Sequence, residues 1–311
     1  MGFGPLLPEL TGTVKGFFLM IVLQQLINGL QLGSIYSLIA LGYSMVYGII
    51  MLLNFAHGDI IMVGGYIALL IIGAGIHPAV AIVAAIAGCM VLACVIEKAA
   101  YAPLRKAPRI SLLITAIGVS FFLENVAQLL LSANPRSFPN TAIIPTVNFS
   151  LGSLNVSLTT LVTLAVAIVS MALLTLLVNR TKMGKAMRAV SEDMGAAQLM
   201  GINVNRTITF TFAIGAILAG IGAILYCCKY PQVKPTTGYL LGMKAFVAAV
   251  LGGIGSIPGA MLGGLAIGMA EVIVNALGYT TWADAVVYVI LIIVLLMKPT
   301  GFLRRTMREK V

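Results

Sequence analysis

Residues 78–131 read PAVAIVAAIAGCMVLACVIEKAAYAPLRKAPRISLLITAIGVSFFLENVAQLLL. Two apolar runs in this stretch, 78–97 and 111–131, are each long enough to cross a membrane as a helix, because a span needs roughly 20 residues. The break between them, 98–109, is short and holds Lys98, Arg105, Lys106 and Arg109. Short connections rich in Lys and Arg remain on the cytoplasmic side of a membrane. The stretch therefore predicts two membrane helices that are joined at the cytoplasmic face.

The composition of the whole chain agrees with this pattern. Of its 311 residues, 60% are hydrophobic and 9% are charged, whereas a soluble domain carries about 25% charged residues. The surplus apolar surface must face lipid, where only helices and closed barrels satisfy their backbone hydrogen bonds. The apolar runs are continuous rather than alternating, which excludes barrel strands. We therefore expect an all-α, polytopic integral membrane protein.

Two further basic breaks extend the topology. They span 180–206 and 298–310, and together with the first break they hold 14 of the 19 basic residues. These further residues are Arg180, Lys182, Lys185, Arg188 and Arg206, followed by Lys298, Arg304, Arg305, Arg308 and Lys310. An even number of crossings must separate breaks that share one face. Residues 132–157 contain three prolines and one charge, which is typical of a solvent-exposed outer loop.

Glycine and proline interrupt several of the apolar runs. The run 17–53 contains four glycines, and we interpret it as two passes. Residues 241–256 and 259–278 are interpreted as two short pieces joined by a Gly-rich segment with Pro258, which indicates either close helix packing or a broken helix. We expect about eight to ten helices in a single transmembrane domain, residues 1–311.

Polar side chains inside the apolar runs are candidates for function, because such groups are costly in hydrocarbon and usually face the interior of the bundle. Asn54, His57 and Asp59 occur within six residues, at an interruption of an apolar run. Two acids, Glu124 and Glu271, are embedded in later runs. We interpret these five residues as candidates for a translocation path or its gate. The structural alternative is interhelical hydrogen bonding that holds the bundle together.

Amide side chains form further polar helix faces. Gln24, Asn28 and Gln31 recur at the spacing of one face of a helix, and Asn275 follows Glu271 by one turn. The same two interpretations apply to these faces. They either bond neighbouring helices or line a hydrophilic path.

The second basic break contains an ordered segment, residues 191–203. Ser191 can cap a helix that begins with Glu192 and Asp193, since acids are favourable at a helix N-terminus. Gly201 can end that helix. The residues between are small or apolar and include Ala196, Ala197, Leu199 and Met200. We interpret the segment as a short cytoplasmic helix that docks into the groove of a partner protein.

Several classes of function are excluded by motif and by charge pattern. The sequence lacks a phosphate-binding Gly-Lys-Ser/Thr loop, a His-Glu-x-x-His pair and a plausible Ser/His/Asp set, so neither an enzyme nor a bound cofactor is expected. Its four cysteines have no metal-ligand spacing with histidine. The net charge of +10 lies at loop ends without interleaved aromatic residues, which favours topology and anionic lipid headgroups over nucleic acid as its explanation.

Four separated blocks resemble the H-type permease subunit of bacterial branched-chain amino acid ABC importers. They are NGLQLGSIYSLIALGYSMVYGIIMLLNFAHGDIIMVGGY (28–66), LITAIGVSFFLEN (113–125), SEDMGAAQLMGINVNR (191–206) and GMKAFVAAVLGGIGSIPGAMLGG (242–264), and the closing KPTGFLRR (298–305) also fits. The likeness covers nearly the whole chain, and its blocks keep the family's order.

The resemblance implies a multi-pass permease in the bacterial inner membrane. It further implies a second homologous permease as the partner in a heterodimer, two ABC ATPase subunits, and an extracytoplasmic binding protein that delivers leucine, isoleucine or valine. The loop helix then corresponds to the coupling helix that contacts the ATPase, with Glu192, Asp193, Ala196, Ala197 and Gly201 as coupling residues. The Ala-Ala-x-x-x-Gly core is kept, but Gly195 replaces the usual Glu and the downstream Leu-Pro is missing.

Two alternatives remain open from the sequence. Importers of urea and short-chain amides have permeases of the same build, so the motifs leave the substrate less defined than the mechanism. A stand-alone ion-coupled carrier would instead use the embedded acids and His57 as a proton or sodium relay.

Overall fold

The computed structural model describes residues 6–51, 54–105, 107–151, 154–298 and 300–303. It contains eleven α-helices in these ranges: α1 (Leu6–Ile50), α2 (His57–Gly73), α3 (Pro78–Ile96), α4 (Arg109–Leu131), α5 (Leu158–Arg180), α6 (Lys182–Glu192), α7 (Met194–Leu199), α8 (Val204–Lys229), α9 (Thr237–Gly252), α10 (Ile257–Ala276) and α11 (Ala283–Met297). Four short strands, β1 (Arg136–Ser137), β2 (Asn148–Leu151), β3 (Leu154–Ser157) and β4 (Gln232–Val233), form two antiparallel pairs, β1–β4 and β2–β3. The fold is all-α in its apolar part, as predicted.

Nine of the described helices are apolar, a number within the predicted eight to ten. Seven of them are long enough to cross a membrane, where the span of α11 includes the 3-10 turn Thr280–Trp282 that precedes it, and two shorter ones, α2 and α9, have 17 and 16 residues. A 16-residue helix is about 24 Å long, which falls short of the roughly 30 Å hydrocarbon core. The remaining α-helices, α6 and α7, form the ordered part of the second basic break.

Helix α1 is the centre of the bundle and packs against α5, α8, α9 and α10. The prediction of two passes in 17–53 is wrong, because α1 continues without a break to Ile50. Its glycines serve close packing instead. A Cβ on Gly33 would lie 2.7 Å from the Cα of Leu265, and one on Gly268 would lie 2.2 Å from the Gly33 nitrogen. Such contacts allow the backbones of α1 and α10 to touch.

The Gly-rich segment between α9 and α10 forms a tight turn. Gly253 and Gly255 have φ values of 101° and 92°, a region that side chains with a Cβ rarely enter. Ser256 then caps α10 by accepting a hydrogen bond from the Gly259 nitrogen at 3.2 Å. Pro258 stands in the first turn of α10, where its missing N–H costs nothing. The segment therefore joins two packed helices and does not kink one.

The basic breaks meet at one end of the bundle, called here the basic end. Arg105 of the first break donates to the Asn205 side chain of the second, and the Phe302 nitrogen of the third bonds the carbonyl of Leu251 at 3.0 Å. The basic residues beyond this point lie outside the described residues, as does Lys106; they are Arg304, Arg305, Arg308 and Lys310. The expected outer loop, 132–157, stands at the opposite end and carries strands β1 to β3.

Candidate functional site

The α1–α2 break, taken here as the residues after α1 together with the first turn of α2, holds three of the predicted site residues close together, Asn54, His57 and Asp59. The Tyr101 hydroxyl donates to Oδ1 of Asn54 at 2.7 Å, and the Ser120 hydroxyl of α4 donates to Oδ2 of Asp59. The His57 ring packs edge-on against Tyr43 with centroids 4.7 Å apart. All three predicted residues are buried. The break is thereby tied to α1, α4 and the end of α3.

Each of these three side chains keeps one buried polar atom unpaired. The atoms are Nδ2 of Asn54, Nε2 of His57 and Oδ1 of Asp59, and none has a hydrogen-bond partner among the described residues. Unpaired buried polar atoms are costly, about 1–3 kcal/mol each, and so they concentrate where function retains them. These three atoms therefore keep hydrogen-bonding capacity that the described structure does not use.

Glu124 and Glu271 occupy different places. Glu124 is half-buried on α4, one turn beyond Ser120, and so lies near the break. Glu271 instead belongs to a separate cluster of charges. Its carboxylate accepts from the Tyr36 hydroxyl at 2.8 Å and from Nζ of Lys244 at 2.7 Å. The five predicted path residues therefore form two groups and not one.

The charged cluster around Glu271 also contains residues that were not predicted. Nζ of Lys244 lies 2.7 Å from a carboxylate oxygen of Glu271 and 2.7 Å from one of Asp284. The cluster joins α1, α9, α10 and α11 and has one cation for two carboxylates. Its signal in the sequence was Lys244 itself, the one charge within the apolar run of α9. An embedded charge normally has a partner, but spacing along the chain does not identify it.

A cavity of about 260 Å³ lies among α1, α8 and α10, at the end of the bundle opposite the basic end. Its walls include Asn28 and Leu32 of α1, Lys229 at the end of α8, and Asn275 of α10. The two polar faces that the sequence indicated, on α1 and on α10, therefore meet at this cavity. Nearby, the Gln24 side chain bonds both backbone groups of Asn155 at 2.9 Å, which fixes the β2–β3 hairpin to α1.

A second cavity, of about 330 Å³, opens at the basic end. It lies between α6, the last turns of α1 and α5, and the α9–α10 turn, with Met45, Met187 and Arg188 among its lining residues. Between the two cavities the middle of α1 is buried from Leu32 to Val46. The packed middle of α1 therefore separates the two cavities.

The predicted coupling segment, residues 191–203, is divided between the last two residues of α6 and the short helix α7, where a single helix was expected. The prediction that Ser191 caps the segment is wrong, because Ser191 lies inside α6 and its hydroxyl donates to the Arg188 carbonyl. Asp193 is the cap of α7, and its carboxylate accepts from the nitrogens of Gly195 and Ala196 at 2.7 and 3.0 Å. Glu192 is exposed at the end of α6.

The C-terminus of α7 is a Schellman motif built on Gly201, which confirms the predicted helix end. Gly201 has a φ of 82°. Its nitrogen bonds the Gln198 carbonyl, and the Ile202 nitrogen bonds the Ala197 carbonyl, both at 3.0 Å. Ala197 faces the bundle, whereas Leu199 and Met200 are 90% and 82% exposed. The helix thus presents large apolar side chains away from the protein.

The coupling segment is connected to α3 through a buried carboxylate. Glu97 is fully buried in a π-helical turn, Glu97–Tyr101, and pairs with Arg105. Its other oxygen accepts from the Thr209 hydroxyl at 2.7 Å, and Arg105 also donates to Asn205. The start of α8, which directly follows the coupling segment, is therefore clamped to the end of α3. The same π-helical turn supplies Tyr101 to the α1–α2 break.

The sequence is similar to that of a family of membrane permeases over most of its length. Residues 25–295 match the family model described as the permease component of the branched-chain amino acid transport system. The high-affinity branched-chain amino acid transport system permease protein LivH of Salmonella typhimurium is 44% identical over 300 residues, 93% of this chain and 97% of the relative. The corresponding BraD of Pseudomonas aeruginosa is 44% identical over 301 residues, 93% and 98% of the two chains.

A more distant relative has nearly the same extent. The probable branched-chain amino acid transport permease protein LivH of Methanocaldococcus jannaschii is 28% identical over 289 residues, which cover 86% of this chain and 88% of the relative. No solved structure matches the chain. The resemblance found in the four sequence blocks is thereby confirmed over almost the full length.

Proposed function

The chain belongs to the family of permease components of branched-chain amino acid transport systems, and from this premise we propose that it carries leucine, isoleucine and valine across the inner membrane in an ATP-driven importer. The observation that carries the proposal is the 44% identity over 93% of the chain to permeases of that named specificity. The same observation favours branched-chain amino acids over urea and short-chain amides. The protein is a transport component and not an enzyme.

The partners follow from this assignment. Permeases of ABC importers work with ATPase subunits, which hydrolyse the nucleotide, and with an extracytoplasmic binding protein, which delivers the substrate. The finer proposal is a second homologous permease that pairs with this chain as a heterodimer. It is supported by the buried middle of α1, since a path between two permeases does not require an opening through either one.

We assign the ATPase contact to α7. Three features support this assignment: α7 lies at the basic end, which the charge pattern places in the cytoplasm; its cap and Schellman end define it as a rigid unit; and Leu199 and Met200 are exposed apolar anchors. The groove of an ATPase would cover these side chains. Ala196 and Gly201 are also exposed, whereas Ala197 anchors α7 to the bundle.

The role of the α1–α2 break is assigned as a gate that responds to α7. The clamp of Glu97, Arg105 and Thr209 joins the start of α8 to α3, and Tyr101 continues from there to Asn54. A displacement of α7 by its ATPase would therefore reach the break through the start of α8, this clamp and the π-helical turn that carries both Glu97 and Tyr101. Transporters commonly place such interrupted helices near the substrate path.

The test is leucine uptake by the full complex reconstituted in liposomes with its binding protein. Leu199→Asp places a charge in the proposed ATPase contact and should reduce ATP-driven uptake at least about ten-fold, the effect of losing about 1.4 kcal/mol. Lys185→Gln, an exposed change on α6, is the matched control and should transport normally. Normal uptake by Leu199→Asp in a complex that retains its ATPase would reject the assignment of α7.

A second uptake experiment tests the alternative that the chain is a stand-alone ion-coupled carrier. The chain alone, reconstituted with an imposed proton or sodium gradient, should accumulate no leucine. Gradient-driven accumulation without the ATPase would overturn the ATP-driven mechanism.

A further inference from the structure

The cavity at the outer end of α1, α8 and α10 combines charged, polar and aliphatic walls in a small volume. At about 260 Å³ it falls just below the range of about 300–1,000 Å³ that is typical of sites for drug-sized ligands. A ligand that fills it is therefore smaller than a drug. The cavity lies at the end opposite the basic breaks, the side from which a binding protein would deliver its cargo.

The cavity has a cation that no carboxylate neutralises. Nζ of Lys229 donates to Oε1 of Gln31, and no acid of the described residues forms an ion pair with it. An ammonium group has three donors, so Lys229 retains capacity for an anion. The Nε2 group of Gln31 is a further donor, buried and without a hydrogen-bond partner among the described residues. Gln31 itself does not line the cavity, so Lys229 supplies the cation that a ligand there would meet.

The cavity also has an acceptor that no donor satisfies. Oδ1 of Asn275 is buried and has no hydrogen-bond partner in the described part of the chain, although Asn275 lines the cavity. Part of the remaining wall is aliphatic and consists of Leu32, Val272 and Ala276; Gln25, Asn28 and Tyr230 complete the lining. The cavity thus presents a cation, an unsatisfied acceptor and an apolar wall.

We propose that this cavity is an entry site that holds the zwitterion of an aliphatic amino acid after its release from the binding protein. The inference rests on the proposed function and adds a binding site to it. The substrate carboxylate accepts from Lys229, its ammonium group donates to Asn275, and its side chain contacts Leu32 and Val272. Each unsatisfied group of the cavity then gains the partner that it lacks.

The site is suited to brief occupancy. Conduction through a transporter needs sites that bind strongly enough to admit the substrate and weakly enough to release it. The cavity is open to the outside, and its one cation shares its hydrogen bonds with Gln31. Binding by the permease should accordingly be much weaker than binding by the receptor.

The direct test measures binding of radiolabelled leucine to the purified permease–ATPase complex without the binding protein. Lys229→Gln and Asn275→Leu should each weaken binding about ten- to hundred-fold, the value of a charge-assisted hydrogen bond of about 1.5–3 kcal/mol. Lys229→Arg keeps the cation and should bind within about three-fold of the unchanged complex. Lys234→Gln, a cation of the same outer connection that does not line this cavity, is the matched control.

Competition with two analogues assigns the ends of the zwitterion. Leucinol lacks the carboxylate, so its binding should be the same in the unchanged complex and in Lys229→Gln. Isocaproate lacks the ammonium group, so its binding should not respond to Asn275→Leu. If Lys229→Gln weakens leucinol as much as leucine, the contact between Lys229 and the carboxylate is wrong.

The outcomes separate this inference from the function on which it rests. If the unchanged complex transports leucine but Lys229→Gln and Asn275→Leu bind and transport it normally, the entry site is rejected and the importer assignment stands. If the unchanged complex transports no branched-chain amino acid with its binding protein, the proposed function itself fails. A monodisperse profile in size-exclusion chromatography is required of each variant, and Lys229→Arg supplies the comparison if Lys229→Gln does not assemble.

Discussion

Lys244 is a largely buried cation that contacts two carboxylates. Its ammonium group lies 2.7 Å from carboxylate oxygens of both Glu271 and Asp284, and the Tyr36 hydroxyl bonds the other oxygen of Glu271. The side chain of Asp284 is 53% exposed, whereas those of Lys244 and Glu271 are about one-tenth exposed. The pair of Lys244 and Glu271 is therefore the part of the cluster that depends on mutual neutralisation.

Removal of one partner from this pair should be strongly destabilising. Lys244→Met leaves the Glu271 carboxylate buried without its cation, at a cost of about 3–5 kcal/mol. The double variant Lys244→Met/Glu271→Met removes both charges and should regain most of that loss. Thermal unfolding in detergent, followed by size-exclusion chromatography, compares the two with Lys234→Met, a half-buried lysine outside any ion pair of the described residues, as the control. Equal loss of stability in the single and double variants would contradict the pairing.

For single residues, the sequence indicates that a charge is embedded in an apolar helix but does not indicate which residue pairs with it. Glu271 was predicted as an embedded acid, yet Lys244 lies 27 positions away in the chain and meets it only because α9 and α10 pack side by side. The cap of α7 shows the same limit. Ser191 and Asp193 are both good capping residues. Met187 and Val190 pack α6 onto the bundle, so α6 continues to Glu192 and the cap of α7 is Asp193.

Among the elements, the contact between α1 and α10 is the most extensive in the described structure. Glycine makes this contact possible, since a Cβ on Gly264 would lie 2.4 Å from the Ser37 nitrogen and one on Gly268 would lie 2.2 Å from the Gly33 nitrogen. Backbone atoms cannot move aside as a flexible side chain can. The contact therefore fixes the position of α10, and with it Glu271 and Asn275, relative to α1.

A side chain at Gly268 should separate these two helices. Gly268→Leu is expected to reduce the amount of folded protein in the membrane severely, because its Cβ clashes with the backbone of Leu32 and Gly33. Gly118→Leu is the matched control within a helix, since a Cβ there meets nothing within 4 Å. The measurement is the yield of monodisperse protein extracted from membranes. Similar yields for the two variants would show that the α1–α10 contact is looser than described.

Most apolar helices were predictable because their boundaries coincide with charge and proline. Helices α3 and α4 begin and end within two residues of the predicted runs, 78–97 and 111–131. The prediction of two passes in the run 17–53 was wrong because a glycine inside an apolar helix indicates either a break or a close contact. Which of the two applies depends on the partner helix, here α10, and that partner is more than 200 residues away in sequence.

For the whole molecule, the structure has two different ends and a packed centre. One end gathers the basic breaks, α7 and a cavity of about 330 Å³, while the other carries the β2–β3 hairpin and the cavity of about 260 Å³. The buried middle of α1 lies between the cavities. A substrate that enters at one end can leave at the other only after a conformational change, which is the behaviour of a transporter with alternating access.

The proposed ATPase contact requires the basic end of the bundle to face the cytoplasm. Leu199→Cys marks α7 and Asn155→Cys marks the β2–β3 hairpin, and both positions are exposed. Of the native cysteines, Cys89, Cys227 and Cys228 are buried and Cys94 is half-buried, so the unchanged protein supplies the background. A membrane-impermeant maleimide is applied to spheroplasts and to inverted membrane vesicles. We predict that Asn155→Cys reacts in spheroplasts and Leu199→Cys only in inverted vesicles; reaction of Leu199→Cys in intact spheroplasts would contradict the proposed ATPase contact.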